Sequence, residues 1–231
     1  MADTISFLVD KQDSFEIVRD QIAVLINENQ AAQVILAAAE PDPSLWKLRV
    51  YTERANPWEL FIEDPADFSP IVNVWYESGS FDESKGDTIE RQAHAGIFNV
   101  DVYAWAQSQG DGAGGHLPGD REAAFTAQRG ARLVRNFIMA SENAYLQLRA
   151  IDGPTGPGVW QRWLQSVTSF QPDQQNEAAH QVIAIRLAFR VEFNEFSPQA
   201  VTDDLELVSV DIHRASDGKL IAEADYDVST P

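Results

Sequence analysis

The sequence predicts an α+β fold, in which a mixed, mainly antiparallel sheet packs against a long helix and an N-terminal helix and a C-terminal β-hairpin forms an arm. Two pairs of segments show the two-residue alternation of strands, and each pair follows a segment with helical spacing. In the alternating segments, apolar residues share one face, whereas polar and aromatic residues share the other. The sheet is therefore expected to be covered on one side.

The first helix is predicted from about Phe15 to Asn27. Asp13-Ser14 supplies an N-cap signal, and apolar residues follow it at helical spacing. The sequence leaves open whether Ala31–Ala39 continues this helix, because alanine favours a helix and Pro41 closes it.

Residues 40–69 could form an insertion, since prolines frame two short apolar runs there. Leu45–Glu53 alternates and predicts a strand, while Trp58–Glu63 is a shorter apolar run. No clear linker isolates this region, so one domain is predicted over residues 1–200.

The first strand pair is predicted at Ile71–Tyr76 and Gly96–Ala106, and a polar, charged loop, Glu77–Ala95, joins the two strands. A glycine-rich loop, Gln107–Asp120, follows. It lacks the lysine and the spacing of a phosphate-binding loop, and nucleotide binding is not predicted.

Asp120 is predicted to cap the longest helix, from about Arg121 to Leu148. Three arginines recur every three residues along it: Arg129, Arg132 and Arg135. They predict either a solvated face paired with acids such as Glu122 or a basic stripe that contacts an acidic neighbouring subunit.

The second strand pair is predicted at Val159–Phe170 and Gln181–Phe193. The apolar set of the latter is uninterrupted, which predicts a central strand. Residues 201–231 are predicted as a separate arm, because Leu205–His213 and Leu220–Val228 flank a strong turn signal. An isolated hairpin is rarely stable, so the arm must pack on the core or on a partner.

The net charge of −19 opposes binding to nucleic acid and to anionic membranes. It indicates either a solubilising surface or a surface past which DNA slides without adhering. The four histidines are scattered, cysteine is absent, and no serine lies in a nucleophile elbow. We therefore predict no catalytic, cofactor-binding or metal-binding residues, and a protein that is not an enzyme.

Several phrases resemble tail terminator or neck (head–tail joining) proteins of long-tailed bacteriophages. The resemblance covers about residues 70–200 and rests on IVNVWYESGSF at 71–81, GIFNVDVYAW at 96–105, AQRGARLVRNFIMAS at 127–141, the segment 159–171 and RLAFRVEFNEFSPQ at 186–199. No invariant chemical motif contributes to it.

The resemblance implies a structural virion protein that forms a ring, commonly a hexamer, on the tail tube. Such a ring ends tail polymerisation and forms the joint to the head connector. The implied partners are further copies of the chain, the tail tube protein, the tail sheath and a head–tail connector or neck protein. DNA would pass through the channel without specific binding, no membrane is involved, and the protein would belong to the tail or neck of a virion assembled in the host cytoplasm.

On this hypothesis, Arg129, Arg132 and Arg135 mediate subunit contact. The two loops face the tube or the lumen, with these residues: Glu77, Asp82, Glu83, Lys85, Asp87, Asp111 and His116. One alternative is another neck or head-completion protein on the connector side, and a further alternative is a small acidic hydrolase.

Overall fold

The structure, a computed structural model of the 231-residue chain, describes most of the sequence. The described residues are 12–63, 67–82, 91–110, 112, 116–148, 157–172, 180–196, 207–213 and 220–227. The chain divides into a main unit, Gln12–Ser197, and a second unit that contains a C-terminal hairpin.

Nine strands are described: β1 (Arg49–Thr52), β2 (Ile71–Asp82), β3 (Arg91–Gln107), β4 (Gln109–Gly110), β5 (His116–Leu117), β6 (Val159–Phe170), β7 (His180–Phe196), β8 (Leu207–His213) and β9 (Leu220–Asp227). Five of them form the main sheet, in the spatial order β1-β2-β3-β7-β6. Strand β1 runs parallel to β2, and the other pairs are antiparallel. The predicted α+β fold with a mixed, mainly antiparallel sheet is confirmed.

In the described residues there are three α-helices: α1 (Ser14–Leu36), α2 (Leu60–Glu63) and α3 (Gly119–Met139). Helix α1 begins at the predicted cap, where the Asp13 backbone N–H donates to the Glu16 carboxylate at 2.8 Å. The predicted end at Asn27 is wrong. The helix continues through the alanine-rich stretch, whose residues are good helix formers, and a 3₁₀ turn, Ala37–Ala39, follows it.

The segment Ser14–Ala39 is long and apolar enough to cross a membrane by length and composition alone. Core helices of water-soluble proteins meet the same criterion. Here four residues of α1 are fully buried in the core of the main unit: Val18, Ile22, Leu25 and Ile26. Length and composition therefore do not assign this helix to a membrane.

Helix α3 begins two residues before the predicted start at Arg121 and ends nine residues before the predicted end at Leu148, so the prediction that Asp120 caps it is wrong. Pro118 occupies the N-cap position, and the Asp120 carboxylate accepts only the adjacent Arg121 N–H, at 2.8 Å. The helix ends at Met139 because Ala140 has non-helical backbone angles, with φ −58° and ψ 146°. A 3₁₀ turn, Ser141–Asn143, then begins where a continuous helix to Leu148 was predicted.

The side chain of Arg162, on β6, donates hydrogen bonds to backbone carbonyls at the C-terminal end of α3. Its guanidinium donates to the carbonyls of Ile138 and Ala140 at 2.7 Å each, and to that of Ala144 at 3.2 Å. Carbonyls at a helix end need such donors because they have no partner within the helix. This contact joins α3 to the edge of the sheet.

Helices α1 and α3 cover one face of the sheet, which we call the inner face. Its buried strand residues include Val72, Val74, Phe98, Val100, Val102, Leu187, Phe189, Val191 and Phe193. Gly130 allows α3 to lie close to β3, since a Cβ at this position would be 2.8 Å from Val102 Cγ1. The other face of the sheet, the outer face, is polar and aromatic over much of its area, as predicted.

The predicted strand Leu45–Glu53 is wrong over its first four residues. Pro43–Trp46 is a 3₁₀ turn, in which the Asp42 carboxylate accepts the Ser44 N–H, so the strand is only Arg49–Thr52. The apolar run Trp58–Glu63 is helical, and it packs a small apolar cluster onto one end of the outer face: Phe61, Ile71, Tyr103, Val182 and Ala184.

The strands β2 and β3 extend well beyond their predicted ends, so most of the predicted loop Glu77–Ala95 is strand. Polar residues of β2 pair with β3 out to Asp82↔Ala93, because the ladder uses backbone groups and tolerates any exposed side chain. Strand β7 lies between β3 and β6, which confirms the predicted central strand.

In the second unit, β8 and β9 pair antiparallel from Leu207↔Asp227 to His213↔Leu220. This confirms the predicted hairpin. Its turn signal, Ala215–Gly218, lies outside the described residues.

Candidate functional site

One row of residues crosses the outer face of the sheet. In the strand register, Asn73 on β2 lies opposite Asp101 on β3, and Asp101 lies opposite Arg186 on β7. The row continues to Tyr51 on β1 and to Thr168 on β6. Cross-strand neighbours lie about 4.5–5.5 Å apart, so this register alone brings an acid and a base into contact.

Asp101 is the centre of a hydrogen-bond network and is only 1% exposed. Its Oδ1 accepts from Arg186 Nε at 2.8 Å, and its Oδ2 accepts from Arg186 Nη2 at 2.9 Å. Oδ2 also accepts from Trp75 Nε1 at 3.0 Å and from the Tyr103 hydroxyl at 3.2 Å. Four donors therefore saturate this buried carboxylate.

The Arg186 guanidinium is held flat between two aromatic rings. Its central carbon lies 4.8 Å from the ring centre of Trp75 and 5.1 Å from that of Phe170. The hydrogen bond with Asp101 raises the pKa of Arg186, against the opposing effect of burial, so the group keeps its charge. Nη1 makes no hydrogen bond to a described residue, and the side chain remains 37% exposed.

A second arginine, Arg54, lies beside this row. The buried Asn73 amide accepts the Arg54 N–H and donates to the Arg54 carbonyl, both at 3.0 Å, which fixes the backbone there. The exposed Arg54 guanidinium lies 5.3 Å from the ring centre of Tyr51. It forms no ion pair with any residue that the structure describes.

These groups line a cleft of about 470 Å³ on the outer face, which we call the Arg54–Arg186 cleft. Its lining consists of Glu53, Arg54, Ala55, Trp58, Asn73, Trp75, Asp101, Tyr103, Phe170, Gln171, Pro172 and Arg186. Burial and the Asp101 charge raise the pKa of Tyr103, which keeps the phenol neutral and able to donate. The cleft thus combines aromatic walls with guanidinium donors.

Glu53, the other acidic residue in the lining, also accepts hydrogen bonds from protein groups. Its Oε1 accepts from Arg19 Nη1 at 3.2 Å and from the Tyr76 backbone N–H at 3.1 Å. Both carboxylates of the cleft therefore have partners, whereas Arg186 Nη1 and the Arg54 guanidinium donate to no carboxylate within the described ranges. The arrangement favours binding of an anion.

The predicted interface arginines lie far from this cleft in the fold, since α3 packs on the inner face. Arg132 and Arg135 are exposed, and Arg129 is half-buried with its pKa lowered by that burial. None of the three forms an ion pair with a carboxylate in the described part of the chain, including Glu122.

Of the predicted loop residues, the three in the described part of the chain lie on two different strands, β2 and β5. Glu77 lies in β2, where its carboxylate accepts from the Asn99 amide at 3.0 Å, and Asp82 ends the same strand. His116 lies in the short strand β5, opposite Gly110. The remaining four residues fall outside the described part of the chain: Glu83, Lys85, Asp87 and Asp111.

The alternation of the strands already places Asn73, Asp101 and Arg186 on polar faces, but it does not show that they meet. The available signal was one charge of each sign inside otherwise apolar strands, as in NVDVY and AIRLA. Buried charges are almost always paired, so the two could have been matched across the sheet.

Among the described residues, no group of three or more His, Asp or Glu side chains is placed to hold a metal ion. Comparison with protein-family models and with curated protein sequences finds no match to this chain.

Proposed function

We propose that the protein is a structural virion component that forms a ring on the tail tube of a long-tailed bacteriophage. The ring ends tail polymerisation and joins the tail to the head connector. The observation that carries the proposal is the set of three arginines on α3, none of which forms an ion pair with a described carboxylate in a chain with 36 acidic residues. Asp42 acts on Arg129 only through its charge. A neighbouring acidic subunit would supply ion-pair partners.

The sheet also offers a surface for assembly. Strand β6 pairs with β7 on one side, and the described residues place no strand on its other side. A free edge of this length is a template for pairing with another chain. Register irregularities near Gln161 and Ser166 limit how such a partner would align. A closed ring needs heterologous contacts of this kind, in which two different surfaces meet.

The first test is the mass distribution of the purified protein, alone and mixed with the tail tube protein of its phage, measured by mass photometry. We expect a closed oligomer in at least one of the two samples. A strict monomer in both samples would contradict the ring.

Charge reversal tests the arginines directly. We expect the double variant Arg132→Glu/Arg135→Glu to lose the oligomer while it keeps its far-UV circular dichroism spectrum. The matched control is Arg121→Glu, because Arg121 is exposed near the start of the same helix and its guanidinium lies over the Phe125 ring, 5.4 Å from the ring centre. If the control and the double variant assemble equally well, α3 is not the contact surface.

The position in the virion is tested by electron microscopy of a phage that lacks the gene. Overlong or headless tails support the terminator role proposed here. Full heads that leak DNA would instead place the protein on the connector side of the neck.

A further inference from the structure

We propose that the Arg54–Arg186 cleft is a binding site for a peptide carboxylate, an Asp or Glu side chain next to an apolar or aromatic residue on a partner protein. The inference does not rest on the proposed ring, since it concerns the outer face of the sheet. It would hold for a monomeric protein that recruits an acidic partner.

The charge distribution selects an anion. Both carboxylate oxygens of Asp101 accept hydrogen bonds from protein side chains. Glu53 accepts hydrogen bonds from the Arg19 side chain and the Tyr76 backbone. Arg186 is paired with Asp101, but Arg54 has no ion-pair partner among the described residues, so one positive charge of the cleft is not neutralised there. A second anion would therefore find donors in the cleft without displacing an existing contact.

The geometry of Arg186 selects a planar, two-oxygen anion. Asp101 occupies the Nε and Nη2 side of the guanidinium, which leaves the Nη1 donors and one Nη2 hydrogen. These define an edge with two parallel N–H donors, the arrangement that matches a carboxylate. Trp75 and Phe170 fix the plane of the guanidinium, so little side-chain entropy would be lost on binding.

The aromatic walls select the neighbouring group of the ligand. Trp58 and Tyr103 lie with their ring centres 5.7 Å apart, and Phe170 lies 6.1 Å from Tyr103. An apolar side chain adjacent to the carboxylate would cover these rings and exclude water from the ion pair. The cleft volume of about 470 Å³ is sufficient for two such side chains.

The test uses the full-length protein and a small probe, the peptide acetyl-Phe-Glu-amide. Binding is followed by NMR through the indole N–H resonances of Trp75 and Trp58, assigned with Trp→Phe variants. We expect concentration-dependent shifts of these resonances up to about 10 mM peptide, because a single ion pair with one aromatic contact binds in the millimolar range. The neutral peptide acetyl-Phe-Gln-amide is expected to bind at least about fivefold more weakly.

The variant Arg54→Gln is expected to weaken binding of the glutamyl peptide by about threefold to tenfold, since one charge-assisted contact is lost. Arg54 is exposed, so this change leaves the Asp101 network intact. The matched control is Arg121→Gln, an exposed arginine that likewise lies over one aromatic ring, at 5.4 Å from Phe125. This control is expected to bind the peptide as the unchanged protein does.

Three results would overturn the inference: equal affinity for the glutamyl and glutaminyl peptides, unchanged affinity in Arg54→Gln, or binding of inorganic phosphate in preference to the glutamyl peptide. Failure of the ring is a separate outcome, seen in the mass distribution and not in these titrations.

Discussion

Asp101 is the most constrained charged residue of the outer face, because it is buried and accepts four hydrogen bonds. A buried charge is tolerated only when its partners replace the water it has lost. Its burial therefore links the positions of Trp75, Tyr103 and Arg186 to one another. A substitution at Asp101 should therefore disturb the positions of all three of these side chains in the cleft.

The substitution Asp101→Asn tests this dependence. The amide keeps the size of the side chain, but it removes the charge that pairs with Arg186 and turns one acceptor into a donor. We expect the free energy of unfolding to fall by about 1.5–3 kcal/mol, the usual range for hydrogen bonds to charged groups. Urea denaturation followed by fluorescence provides the measurement.

The control for Asp101→Asn is Glu122→Gln on α3, whose side chain is exposed. It removes one negative charge without breaking a buried contact and should change stability by less than about 0.5 kcal/mol. Equal effects of the two substitutions would mean that the Asp101 network contributes little beyond net charge.

At this scale, the sequence predicted which residues share a face but not which ones meet. Strand alternation assigns Asp101 and Arg186 to polar faces regardless of register. Their contact depends on the register of β3 against β7, which is set by long-range packing of the inner-face residues. The cleft could not be found without that register.

Among the elements, α3 depends on a close approach to the sheet. Gly130 faces Val102, and an added methyl group would come within 2.8 Å of Val102 Cγ1. Valine is stiff at χ1 and cannot move aside easily. The backbone of α3 would have to shift instead.

We therefore expect Gly130→Ala to destabilise the protein. Alanine is favoured over glycine in a helix by about 1 kcal/mol, but overpacking a core costs about 1–3 kcal/mol. The cost of overpacking should exceed the gain in helix propensity, so we expect a lower melting temperature in thermal unfolding. The control Gln128→Ala changes an exposed position of the same helix and should be neutral or slightly stabilising. A higher melting temperature for Gly130→Ala would contradict the close contact.

The junction of α3 with β6 depends on Arg162, whose guanidinium reaches three carbonyls. Burial lowers the pKa of Arg162, yet the group retains these acceptors. We expect Arg162→Gln to reduce stability by about 1–3 kcal/mol, because it leaves carbonyls at a helix end without donors.

The replacement Arg162→Lys separates charge from geometry at this junction. Lysine keeps the charge but lacks the planar fork, so it should recover only part of the loss. Hydrogen exchange of the last turn of α3 provides a local readout. Full recovery with lysine would show that charge alone is sufficient.

Element types were predicted better than element ends. The four main strands and two long helices were predicted in the correct order, because each has a strong period. The end of α3 was missed because it depends on Ala140 geometry and on Arg162, a residue 22 positions away in the sequence. The polar ends of β2 and β3 were missed since their pairing needs only backbone groups.

For the whole molecule, net charge is the dominant property, and the sequence pI of about 4.4 leaves every copy strongly negative at neutral pH. Association of such copies works against mutual repulsion. The arginines of α3 would act only at contact distance, whereas repulsion extends over the whole surface. The two effects therefore respond differently to salt.

We expect the proposed ring to strengthen as salt is raised from about 0.01 M to about 0.15 M, while the Debye length falls from about 30 Å to about 8 Å. Long-range repulsion is screened over this interval, but ion pairs that become buried in a contact between copies are screened much less. Mass photometry across a salt series gives the oligomer fraction. The variant Arg132→Gln/Arg135→Gln should assemble less than the unchanged protein at every salt concentration, and Arg121→Gln should not. A steady loss of the oligomer with salt in the unchanged protein would mean that exposed opposite charges, and not packed surfaces, hold the copies together.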